Sequence, residues 1–98
     1  MIALSSEAEI QVDRLIAHYE AKSWLEAAIN LLNALERAKL RILQAPEAGL
    51  DAPRPHPSLK RQGRRWIIEG RYWISYNLTM PPVISGVFYV TADIPNRI

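Results

Sequence analysis

Lys60-Arg61-Gln62-Gly63-Arg64-Arg65-Trp66-Ile67-Ile68-Glu69-Gly70-Arg71-Tyr72-Trp73-Ile74-Ser75-Tyr76 is the stretch whose reading decides the fold. Its β-branched and aromatic residues suit a pleated, half-buried surface, and Glu69-Gly70 between the two runs supplies a residue that can take positive φ. The pattern predicts two antiparallel strands joined by a tight turn. Cations crowd one end of that hairpin, which makes it a candidate interaction surface.

Downstream, Asn77-Leu78-Thr79-Met80-Pro81-Pro82 reads as a second turn and residues 83–90 as the last strand. Strict alternation assigns Val83, Ser85, Val87 and Tyr89 to one face and Ile84, Gly86, Phe88 and Val90 to the other. Both faces are partly apolar, so this strand is expected inside the sheet with the far surface partly covered. Residues 91–98 read as a tail from which Ile94 packs back.

Upstream, Ser6-Glu7-Ala8-Glu9 has the spacing of a capping box and predicts a helix start. Ala8, Val12, Leu15, Ile16 and Tyr19 then form one apolar stripe, leaving Gln11, Asp13, Arg14 and Glu20 for water. Ser23-Trp24-Leu25-Glu26 repeats the capping spacing, so the first helix is expected to end near Ala21 or Lys22 and a second to follow at once. From residue 25 to 43 the apolar side chains wrap beyond one stripe. That predicts a helix of roughly 30 Å touching more than one neighbour and running between the sheet and the first helix. Trp24, in its first turn, is expected to pack within the monomer. Pro46 and Gly49 close the helix, and residues 48–57, with Pro53, Pro55 and Pro57, read as a surface connection. Residues 1–4 read as a short edge strand or as a frayed terminus; with the strand, the order is β-α-α-β-β-β. The expected fold is an α+β domain spanning residues 1–98, with an antiparallel sheet of three to four strands packed against an N-terminal helical hairpin.

The chain has no cysteine, which excludes disulfides, thiolate zinc sites and thiol nucleophiles. No metal-ligand set or cofactor motif is present, no apolar run reaches membrane-span length, and a signal-peptide pattern is lacking, so a cytoplasmic location is expected. Charge is divided unevenly: residues 1–50 hold five Lys/Arg and seven Asp/Glu, residues 51–98 seven and three. The basic second half suits an acidic partner, nucleic acid or an acidic peptide, and equally a solvated charged face. His56, isolated between prolines, and His18, mid-helix, read as ordinary residues and not as general bases.

The element order, the helix-ending Ala45-Pro46-Glu47-Ala48-Gly49, the strand Gly70-Arg71-Tyr72-Trp73-Ile74-Ser75-Tyr76 and the closing Asp93-Ile94-Pro95 together resemble the RelE/ParE superfamily of toxins from bacterial type II toxin-antitoxin (plasmid stabilisation) systems. The resemblance covers nearly the whole chain. It implies a small toxin neutralised by a cognate antitoxin whose flexible segment wraps around it, with a homodimer or a toxin-antitoxin hetero-oligomer as candidate assemblies. RelE-like members cut messenger RNA on the ribosome with a set of cations and, in several, a tyrosine near the C-terminus; ParE-like members poison DNA gyrase by binding.

Metal-free RNA cleavage requires several cationic donors and a proton acceptor to converge on one phosphate. Where the RelE-like pattern has an arginine in the central strand this chain has Trp73, and Thr91-Ala92-Asp93 has none after the last strand. No catalytic residue is assigned; in a nuclease the work would fall to Lys60, Arg61, Arg64, Arg65 and Tyr89, the tyrosine acting if adjacent cations lowered its pKa. The Gly70-Arg71-Tyr72 opening resembles the ParE branch, whereas the histidine and arginine that many relatives carry near Tyr89 and Ala92 are absent, which leaves room for a non-toxic antitoxin-binding relic. The expected partner-binding set is Arg54, Lys60, Arg61, Arg64, Arg65, Arg71 and Trp73, with Arg71 anchoring an acidic group from Glu69 or from a partner. For the four hairpin cations, protection of a sheet edge is the competing role.

Overall fold

A computed structural model describes residues 2–54, 56–92 and 94–96, without the side chain of Asn96. Met1, Pro55 and Asp93 lie outside the described residues, and with them the first residue of the expected edge strand and the opening of the Asp93-Ile94-Pro95 landmark.

The expected element order is present: β1 (Ala3–Leu4), α1 (Ser6–Ala21), α2 (Leu25–Gln44), β2 (Arg64–Glu69), β3 (Tyr72–Asn77) and β4 (Val83–Tyr89). The sheet order is β1-β4-β3-β2. β2, β3 and β4 are antiparallel neighbours, whereas β1 pairs with β4 in parallel, so the four-stranded sheet is mixed and not purely antiparallel. Parallel pairing needs a long crossover, and the two helices, β2 and β3 that lie between β1 and β4 in the chain supply it.

The deciding hairpin forms where the sequence predicted. Glu69 pairs with Tyr72, closing a two-residue loop of Gly70 and Arg71. Gly70 takes φ 58°, the positive value that such a loop demands at its first position.

α1 starts one residue earlier than its capping spacing suggested. Ser5, not Ser6, is the N-cap, and its Oγ accepts from Ala8 N–H at 3.1 Å. Ser23 does not cap α2 either. It stands at φ 58° in the turn between the helices, and Trp24 occupies the cap position with no side-chain hydrogen bond. Three residues suffice to reverse the chain because Ser23 takes this left-handed conformation.

Both helices lie side by side on one face of the sheet, α1 mainly over β4 and α2 mainly over β2. α2 is therefore not sandwiched between the sheet and α1, as its length and apolar wrap suggested. Leu31, Ala34, Leu35, Ala38 and Ile42 are buried, whereas Leu25, Ile29, Leu32, Leu40 and Leu43 are between 47 and 64% exposed. Gln11, expected in water, instead accepts from Val87 N–H at 2.7 Å and ties α1 to β4.

A β-bulge corrects the face assignment in β4. Ser75 faces Gly86 but Tyr76 faces Ile84, so Ser85 is the additional residue. The alternation of β4 is reset there. Ile84 and Val87 consequently share the helix-side core with Ile74, Tyr76 and Ile67, whereas Phe88 joins Trp66, Trp73 and Ile94 in a second cluster on the far face. Leu59, Val90 and Ala92 pack against that second cluster. The proline-rich connection is accordingly more than a surface strap: Pro53 is fully buried, and Leu50 bridges to Trp66 through two backbone hydrogen bonds of 2.7 Å.

Candidate functional site

The hairpin cations do not converge. Arg64 and Arg65 are consecutive strand residues and leave opposite faces of the sheet. The Arg64 guanidinium sits over the Trp66 ring, 5.2 Å from its centroid, and donates to the Leu59 carbonyl. Burial, followed by the charge of Arg61, pushes the pKa of Arg64 below the ordinary arginine value. Its Nε and the Trp66 indole nitrogen are buried without a hydrogen-bond partner among the described residues. Arg64 thus closes the second apolar cluster from above. Arg65 pairs with Asp51 at 3.1 Å, and Lys60 reaches the same carboxylate at 3.7 Å. Arg54 and Arg61 are exposed, and among the described residues neither has a carboxylate within 4.0 Å.

Tyr89 stands at the other end of the sheet. Arg64 is opposite Asn77, which is opposite Val83, whereas Tyr89 is opposite Tyr72 beside the hairpin turn. Six residues of β4 separate the two ends, roughly 20 Å at strand rise. A proton acceptor at Tyr89 and the four cations cannot share one phosphate. The cation that does face Tyr89 is Arg71, whose Nη1 lies 3.3 Å from the phenolic oxygen; that hydrogen bond is the main influence raising the pKa of Arg71.

Two further expectations change. Trp73 is only 7% exposed and packs in the far-face cluster, so it is core and not partner surface. Trp24 is the reverse, 52% exposed at the head of α2. Glu69 does not hold Arg71. Its carboxylate turns toward α2 and accepts from Arg37 Nε at 2.9 Å and Arg41 Nη1 at 3.0 Å. Burial pushes this carboxyl's pKa up, but the two arginines outweigh it and hold it below the usual range. Arg37 and Arg41 are one helical turn apart, a spacing that sequence reasoning left unused.

Aromatic residues that the sequence places in separate roles meet near the turn between the helices. Tyr19 and Tyr72 are buried with their hydroxyls 2.5 Å apart, and burial followed by this hydrogen bond raises the Tyr72 pKa. His18 lies edge-on to Trp24 with ring centroids 5.8 Å apart, and Tyr89 lies edge-on to Tyr72 at 5.7 Å. No sequence spacing links residues 18, 24, 72 and 89; chain reversal between α1 and α2 and closure of the sheet bring them together.

Among the described residues no group of acidic or histidine side chains is arranged to hold a metal ion, and no helix is long and apolar enough to cross a membrane. No protein-family model matches the chain, and no curated protein matches it significantly.

Proposed function

We propose that the chain is a toxin of RelE/ParE type that works by binding, as in the ParE branch, with DNA gyrase as its target and a cognate antitoxin holding it inactive in the cytoplasm. The observation that carries the non-enzymatic reading is the arrangement of the far face. The four cations a metal-free nuclease would draw on are not assembled with Tyr89: Trp66, Trp73, Phe88 and Ile94 pack together on the far face, the Arg64 guanidinium is held over the Trp66 ring, and Tyr89 is a sheet's length from Lys60, Arg61, Arg64 and Arg65. The β-α-α-β-β-β order and the sequence landmarks support the kinship.

Induced expression without antitoxin tests this. Filamentation, a DNA-damage response and intact messenger RNA are expected, together with inhibition of gyrase supercoiling by the purified chain. Rapid arrest of translation with cleaved messages would overturn the proposal in favour of an endoribonuclease. Unimpaired growth would reduce the chain to an antitoxin-binding relic.

A further inference from the structure

An open cleft of about 890 Å³ lies where the α1–α2 turn meets the hairpin turn, and a hollow of about 490 Å³ adjoins it across Leu15, His18 and Tyr89. The hydroxyls of Tyr19 and Tyr72 share one hydrogen bond, in which one donates and the other accepts. Trp24, with half of its surface free, and Tyr89 both line the cleft. Arg71 stands on the rim of the cleft and Arg14 on that of the adjoining hollow. Among the described residues neither arginine has a carboxylate within 4.0 Å, and Glu26 is the one carboxylate among the described lining residues.

Aromatic lining beside guanidiniums that lack a carboxylate partner, Arg71 donating to the Tyr89 hydroxyl, selects for a ligand that is flat at one end and anionic at the other. A purely apolar ligand would cover Arg71 without satisfying it, and a simple anion would leave the aromatic lining unused. We propose that this cleft binds nucleoside phosphates, the base stacking on the half-exposed Trp24 ring, to which His18 stands edge-on, and the phosphate held by Arg71 with Arg14 beyond it. The site is separate from the gyrase reading and stands whether or not the chain is toxic.

Trp24 provides the readout, because Trp66 and Trp73 are 0 and 7% exposed and lie in the far-face cluster. Titration of the purified chain with AMP and ATP is expected to quench tryptophan fluorescence saturably, and calorimetry is expected to return the same affinity. Adenosine alone and inorganic phosphate alone should each bind at least about tenfold more weakly, and Arg71→Ala should weaken AMP by about tenfold, with partial recovery in Arg71→Lys. A short single-stranded oligonucleotide distinguishes the source: tighter binding than AMP assigns the cleft to a nucleic-acid strand, equal binding to free nucleotide. Near-ultraviolet circular dichroism establishes that each variant is folded. Absence of saturable binding at millimolar nucleotide, or equal affinity for adenosine and AMP, overturns the proposal; so does a folded Arg71→Ala variant that binds AMP like the parent.

Discussion

Gly49→Ala is expected to destabilise the fold severely, although Gly49 has an ordinary extended backbone at φ −69° and ψ 163°. A Cβ there would stand 2.6 Å from the Tyr76 hydroxyl, 2.9 Å from Arg65 Cβ and 3.1 Å from the Trp66 carbonyl. None of these can yield freely. Tyr76 is fully buried and donates to the Pro46 carbonyl at 2.5 Å, and the Trp66 carbonyl accepts from Leu50 N–H at 2.7 Å. If Tyr76 turns away, its buried hydroxyl loses its bond to the Pro46 carbonyl at a cost of about 1–3 kcal/mol, and overpacking adds about 1–3 kcal/mol. The stiffer unfolded chain returns less than about 1 kcal/mol. A net loss of about 2–4 kcal/mol, roughly 10–20 °C in Tm for a domain this size, is the expected result in urea and thermal unfolding followed by circular dichroism. The decisive comparison is a double-mutant cycle. Removing the hydroxyl first, with Tyr76→Phe, should reduce the cost of Gly49→Ala by about 1–2 kcal/mol without abolishing it, because the Arg65 and Trp66 contacts remain. Additive losses, or a Gly49→Ala protein as stable as the parent, would refute this account of the glycine.

Two further perturbations probe the helix–sheet clamp and the helical turn. The Glu69 carboxyl is held low by Arg37 and Arg41, so its stabilisation is complete above about pH 4.5 and is lost as pH falls through the depressed folded value. Glu69→Gln is therefore expected to cost about 1–2 kcal/mol at neutral pH and to flatten the acid limb of a stability-against-pH curve; an unchanged limb would show that the clamp does not contribute. Ser23→Gly, which relieves a left-handed conformation at φ 58°, is expected to raise stability by up to about 1 kcal/mol in the same assays, and a loss would show that the serine side chain matters there.

Secondary structure and order of elements were readable from the sequence because they depend on local pattern: the apolar stripe of α1, the turn at Gly70, the β-branched runs. Pro46 and Gly49 were legible as the end of the long helix, but the close approach of Gly49 to the Tyr76 hydroxyl is a tertiary contact that no local pattern announces. Capping motifs were one residue off or inactive because Ser6 and Ser23 have a glutamate three residues on, whereas the actual cap, Ser5, has Ala8 there, and only the backbone path selects between them.

Tertiary structure alone decided where the charges and aromatics end up. The Ser85 bulge resets which side of β4 is core, and strand register places Tyr89 at the opposite end of the sheet from Arg64. Glu69 chose arginines on a helix more than two dozen residues away over its neighbour Arg71. Periodicity fixes which residues lie on one face of one element; it carries no information about which elements meet. That pairing arises when the chain buries its apolar area, and it is what joins His18, Trp24, Tyr72 and Tyr89 around one cleft.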